Sequence, residues 1–213
     1  MAQKKRCYEQ YCGAARALDF VGERWTLLIV RDLLLGPKRY TDLLDGLPGL
    51  TTNLLAKRLA DMERSGLVDK VKSPPPAPAK VYKLTQMGLE LEPLVLAAME
   101  WGDRFLIEPE GEEMVNIGWS LLRLKSRYRG HHYFVFEFHA DGRVFHIKAR
   151  QETLFVMEGP HSECELTIAG PTAELHRMLF GPEPASNFPN NGQVTVEGKV
   201  GRWPWLLAAF GLS

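Results

Sequence analysis

Along the first half of the chain, apolar residues recur at helical spacing and are punctuated by glycine and proline. In residues 50–65, Leu55, Leu59 and Met62 fall at i, i+4 and i+7 with Leu54 beside them, which predicts one helix with a buried stripe. Thr51 or Thr52 is placed to cap its start, and Gly66 to end it in a left-handed conformation. The opposite face carries Thr52, Asn53, Ala56, Lys57 and Ala60, which are small or polar with a single cation. Three shorter helices are predicted before it, over 12–21, 25–35 and 40–47. The second stops at Gly36-Pro37, and the third is capped by Thr41 and broken at Gly46, Pro48 and Gly49. Two helices joined by a tight glycine-containing turn, the second polar on one face, make a helix-turn-helix.

After this helix the period changes. Residues 68–72 and 80–84 alternate as short strands around a proline-rich tip at 73–79, which predicts a hairpin flanked by Lys72 and Lys80. Beside a recognition helix such a hairpin is a wing. Thr85 then caps one long helix reaching to about 106, apolar on more than one stripe, so a second surface calls for a partner. A two-fold dimer supplies one and also gives two half-site readers. Residues 108–114, acidic with Pro109 and Gly111, are the expected linker between domains at 1–107 and 115–213.

The second half reads as helix (116–129), four strands, helix, strand and helix. Phe134, Phe136 and Phe138 alternate on one side of the first strand, and Asp141-Gly142 signals a two-residue turn. That register sets His139 across from Val144 and Glu137 across from His146, and it puts Phe145, Ile147 and Ala149 with the three phenylalanines. The fold class is thus an N-terminal, mainly α winged helix-turn-helix followed by a C-terminal α+β domain with a mostly antiparallel sheet covered by helices.

Composition refines this picture. The formal net charge is zero over 213 residues, yet residues 36–83 hold 9 Lys+Arg against 5 Asp+Glu, and residues 107–213 hold 10 against 13. Positive charge therefore gathers around the predicted recognition helix, as phosphate binding requires. Asn53 suits adenine and Lys57 suits guanine or phosphate, while Thr52 and Arg58 suit backbone phosphates. Arg39, Thr51, Ala56, Lys72 and Lys80 complete the expected DNA surface. Three cysteines, an odd number, argue for a reducing cytoplasm. No apolar run is long enough to span a bilayer, so membrane insertion is not expected.

Several stretches carry a resemblance: Cys12, Gly22-Glu23-Arg24-Trp25, the run from Leu33 to Tyr40, Leu54 with Arg58-Leu59, the run from Met62 to Val68, Val81-Tyr82-Lys83-Leu84-Thr85 and Gly88. Over roughly 7–105 the chain resembles the HxlR-type winged-helix transcription regulators. The resemblance implies a homodimer, with the first and last helices of this domain at the interface, on near-palindromic operators. It departs from the family in its long, uncharged wing tip. Gly142 to Ile147, Cys164 to Ile168, the Leu179-Phe180-Gly181 helix end and Val194 to Gly198 resemble, more loosely, the sterol-carrier-protein-like domain. That likeness implies an apolar tunnel for a lipid-like ligand, lined by members of the set Phe134, Phe136, Phe138, Phe145, Trp203 and Phe210.

Cys12 reads either as a small buried residue at a helix start or as a thiol sensor activated by the helix N-terminus and a cation such as Arg16. Resemblance adds that relatives sense oxidants or electrophiles at the corresponding cysteine, and that Cys7 pairs with a cysteine of the other subunit. Glu137, His139 and His146 lie on the outward hairpin face without a recognised zinc spacing, so no metal site is expected. No phosphate loop, nucleophile elbow or paired carboxylates are present, so neither catalysis nor a cofactor is expected. The reading is a DNA-binding transcription regulator whose C-terminal domain holds a small hydrophobic effector or supports the dimer. The competing reading is a lipid carrier using the winged helix as a dimerisation scaffold.

Overall fold

The computed structural model describes residues 7–73, 79–106, 113–190 and 192–212. By its internal contacts the chain divides into two units, Met1–Val95 and Leu96–Ser213. The division falls inside a helix. Most of the expected linker at 108–114, and all but the ends of the expected wing tip at 73–79, lie outside the described residues.

The first unit strings together α1 (Gly13–Val21), α2 (Thr26–Leu34), β1 (Lys38–Arg39), α3 (Tyr40–Asp45), α4 (Thr52–Arg64), β2 (Val68–Lys72), β3 (Lys80–Leu84) and α5 (Gln86–Leu89). Its sheet has the order β1-β3-β2, antiparallel throughout. The two-residue β1 was not foreseen. It is too short to show any alternation, and it exists because Lys38 and Arg39 pair with Tyr82 and Val81.

In α4, Leu55, Leu59 and Met62 are almost wholly buried, as the spacing predicts. Each contributes about 2 kcal/mol of burial. The helix ends in a Schellman motif: the N–H of Leu67 bonds the carbonyl of Met62 at 2.9 Å, and the N–H of Gly66 bonds Glu63 at 3.0 Å. Gly66 sits at φ +76°, where a side chain would strain the backbone.

Two local expectations are corrected. Thr41 does not cap α3; Arg39 is the N-cap residue, and its N–H donates to the Asp42 carboxylate at 2.9 Å. The single helix expected from Thr85 to residue 106 is three pieces: α5, α6 (Glu92–Gly102) and a 3-10 turn, Asp103–Phe105. Thr85 does cap α5, accepting from the N–H of Gly88 at 3.1 Å. The break has a covalent cause, since Pro93 has no N–H to bond the preceding turn.

The second unit contains α7 (Ile117–Arg127), β4 (His132–Ala140), β5 (Arg143–Gln151), β6 (Thr153–Glu158), β7 (Leu166–Ala169), α8 (Thr172–Phe180), β8 (Thr195–Gly198) and α9 (Trp203–Phe210). The strand order is β6-β5-β4-β7-β8. The sheet is mixed: β4 and β7 run parallel, and the other three pairs are antiparallel. Asp141 and Gly142 take φ +48° and +78°, the two positive values of a tight hairpin turn, and His139↔Val144 and Glu137↔His146 face each other as the turn dictates. Phe134, Phe136, Phe138, Phe145, Ile147 and Ala149 form the buried face. Tyr128, after α7, and Phe210 of α9 close over Phe134, with ring centroids 6.5 and 6.4 Å away.

Candidate nucleic-acid interface and its neighbours

The N-terminal half of α4 exposes Thr52, Asn53, Ala56 and Lys57 on one face. Thr51 is the N-cap residue, but its side chain makes no capping hydrogen bond. The first amides of the helix therefore face outward, a geometry that favours phosphate. Tyr40 fixes the approach of α3, donating its hydroxyl to the carbonyl of Thr52 at 2.5 Å. Nothing in the spacing of Tyr40 announces that contact.

Arg58 departs from expectation. Although it follows Lys57, it is 9% exposed and turned inward. Its Nη2 donates to Glu23 at 2.5 Å, and Nη1 lies 3.6 Å from Asp61. Arg58 lies three residues after Leu55 and four before Met62, so helical spacing sets it on the side that carries Leu55, Leu59 and Met62. Its guanidinium joins α4 to the Gly22-Glu23-Arg24-Trp25 turn and does not stand ready for phosphate.

The wing hairpin has the predicted bounds. Lys72 and Lys80 are exposed and directly opposite each other at its end. Like charges across a rung cost stability, and an anionic partner would relieve that cost. Lys70, also exposed, places its ammonium 5.3 Å from the Tyr82 ring across the ladder. Arg39 is exposed at the start of α3.

Cys12 is the N-cap residue of α1 and is exposed, so it is not a buried core residue. No hydrogen bond of ordinary length ties its sulfur to the helix, yet the N–H groups of Ala15 and then Ala14 hold its pKa below that of an ordinary thiol. The expected cation is elsewhere: Arg16 reaches Cys7 Sγ at 3.5 Å and Asp19 at 3.2 Å.

In the second unit, Phe134, Phe136, Phe138, Phe145 and Phe210 are at most 3% exposed, with Phe134 and Phe136 stacked at 4.3 Å. Trp203 is half-buried. A cleft of about 510 Å³ opens on the other face of the sheet, and of this set it touches only Phe134. The outward hairpin face is not simply solvated either. Glu137 and His146 are buried, because the segment after β6 crosses over them. Glu137 accepts the N–H of His161 at 2.7 Å and pairs with His139 at 2.8 Å, while His146 Nδ1 donates to the carbonyl of Gly159 at 2.8 Å. Burial alone would raise the pKa of Glu137; the His161 amide and the bond to His139 outweigh it, and the net shift is downward. Among the described residues, no cluster of three His, Cys, Asp or Glu side chains could hold a metal ion. No helix among them is long and apolar enough to cross a membrane.

A helix-turn-helix followed by an antiparallel wing defines the first unit as a winged-helix module. The profile of the HxlR-like helix-turn-helix family matches residues 20–110. The chain belongs to that family. An uncharacterized HTH-type transcriptional regulator of Bacillus subtilis, YybR, is 30% identical over 105 residues, which are 48% of this chain and 84% of YybR. YodB of the same organism, an HTH-type transcriptional regulator, is 30% identical over 42% of this chain and 80% of its own. Rv3095 of Mycobacterium tuberculosis, an uncharacterized HTH-type transcriptional regulator, is 40% identical over 96 residues; these span 45% of this chain but only 60% of Rv3095. The solved reduced form of YodB aligns with 47% of this chain at 27% identity, with a TM-score of 0.40.

Proposed function

We propose that this protein is a homodimeric transcription regulator that reads duplex DNA with the exposed face of α4 and grips the backbone with its wing. The observation that carries the reading is the pairing of Lys57, exposed on the small polar face of α4, with a wing that holds Lys72 and Lys80 side by side. Asn53 reaches a base edge and Lys57 a guanine or the phosphate beside it, while Thr51, Thr52, Arg39, Lys72 and Lys80 hold phosphates and Ala56 admits close approach. Membership in a family whose relatives carry the name of transcriptional regulators supports the same reading. The test is fluorescence anisotropy on the gene's own upstream DNA against a scrambled duplex, across a salt series. Selective binding with a steep salt slope is expected; equal, weak binding to both duplexes would refute it.

Dimerisation is supported by apolar side chains that the single chain leaves uncovered: Leu18 on α1 is 47% exposed, Trp101 on α6 is 62% and Phe105 is 64%. Cys12 is the redox-responsive group of this reading, exposed at a helix start with a lowered pKa. Peroxide or a quinone then releases the wild-type protein from DNA. Release that persists in Cys12→Ser would remove the cysteine from the scheme.

A further inference from the structure

The cleft in the second unit lies where β4 outruns β7. The β4–β7 ladder begins at the Phe136↔Leu166 rung. The carbonyls of Val135 and His139 accept from Glu165 at 2.8 Å and Gly170 at 3.1 Å, so the odd-numbered residues of β4 turn their backbone groups toward β7. By that alternation the N–H and C=O of Tyr133, beyond the end of β7, open into the cleft.

Its walls carry three cationic side chains, two carboxylates and one exposed aromatic ring. Arg150 stands directly across the ladder from Tyr133, which is 59% exposed. On the neighbouring rung of the same face, Lys148 stands between Val135 and the exposed Phe155. Lys199 lines the cleft from the far side. Each carboxylate in the wall already has a lysine: Glu163 accepts Lys148 at 3.0 Å, and Glu165 accepts Lys199 at 2.9 Å with Arg202 at 3.5 Å. Arg150 makes no ion pair among the described residues, and Glu163 feels its charge only at longer range. The wall is thus left with uncompensated positive charge beside an exposed ring. This contrasts with residues 107–213 as a whole, which hold 10 cationic against 13 acidic side chains. A polyanion meets repulsion from such a background, whereas a small anion is drawn to the local excess.

We propose that this cleft binds a small organic anion carrying an aromatic ring, its acid group held by Arg150 and its ring laid on Tyr133. A guanidinium presents parallel donors that match a carboxylate or phosphate, and the N–H of Tyr133, without a partner among the described residues, adds a further donor at the same end. A volume of about 510 Å³ admits an acid of one or two rings. The site lies wholly within the second unit and is independent of DNA recognition by the first.

Isothermal titration calorimetry of the full chain tests it, with benzoate, salicylate, 2-naphthoate and phenyl phosphate as probes. Benzyl alcohol serves as the neutral control and oligothymidylate as the competing polyanion. At least one aromatic acid is expected to bind with a dissociation constant in about the micromolar-to-millimolar range. Benzyl alcohol should bind about tenfold more weakly or worse, and Arg150→Gln should lose about tenfold for the acid. Tyr133→Ala should weaken aromatic acids and leave acetate unaffected, and Lys57→Ala should bind the acids like the wild type. Arg150 and Tyr133 are both exposed, so neither change threatens the core. Absence of heat from all four acids, equal binding of benzyl alcohol, or undiminished binding by Arg150→Gln would overturn the proposal. So would tighter binding of oligothymidylate that Arg150→Gln abolishes, which would assign the cleft to nucleic acid.

Discussion

Lys57 and Arg58 are adjacent cations on one helix, and the structure predicts opposite consequences for removing them. The Arg58 side chain is 10% exposed and bonded to Glu23, while Glu23 itself is 63% exposed. Truncating Arg58 to alanine therefore strands no buried carboxylate, and the 3 to 5 kcal/mol typical of a broken buried pair does not apply in full. What is lost is one charge-assisted hydrogen bond, discounted for the solvent around Glu23, together with the packing of the aliphatic stem. These amount to about 2 kcal/mol. For a unit of this size that lowers Tm by roughly 10 °C. Arg58→Met keeps most of the stem and removes a buried Nε that lacks a partner among the described residues, so its loss should be smaller. Lys57→Ala should leave Tm unchanged and reduce the slope of log affinity against log salt by about one phosphate contact. Circular-dichroism melting and the anisotropy titration read the two quantities separately. If Arg58→Ala melts like the wild type and flattens the salt slope, the inward placement of Arg58 is wrong.

Three further outcomes follow from named contacts. A Cβ on Gly88 would lie 2.2 Å from the carbonyl oxygen of Leu67, so Gly88→Ala should destabilise the first unit by about 1 to 3 kcal/mol; a chemical-denaturation midpoint unchanged from the wild type would contradict it. The folded pKa of Glu137 is depressed, so its stabilisation is present above the unfolded carboxylate value and is lost as pH falls through the folded one; between about pH 5 and 3, Glu137→Gln should show a shallower loss of thermal stability than the wild type, and parallel curves would refute this. Cys12, exposed and with a lowered pKa, should be alkylated by iodoacetamide near neutral pH faster than half-buried Cys164, as followed by peptide mass spectrometry; the reverse order would remove the basis for sensing.

How much of this was legible beforehand depended on the range of the interaction. The bounds of β2 and β3 and the turn at Asp141-Gly142 were readable, because alternation and turn chemistry are written in adjacent residues. The exposed face of α4 was readable for the same reason. Breaking the helix after Leu89 was also a local matter: Pro93 was the available signal, outweighed by the long apolar pattern around it. Proximity in sequence pairs Arg16 with Cys12, whereas helix geometry and Asp19 hold it against Cys7.

The sequence by itself determined the order of the elements other than β1 and the break before α6, the recognition helix with its stop at Gly66, the wing, the hairpin register and the phenylalanine face. All of these rest on periodicity and on residues with restricted backbone preferences, which act within a few positions. Tertiary structure alone decided that Arg58 turns inward to Glu23, that β7 lies parallel to β4, that the segment after β6 buries Glu137 and His146, and that Arg150 and Lys199 line one cleft. Each of those brings together side chains separated by many residues, and no local pattern encodes which distant partner will satisfy a charge or cover a sheet face.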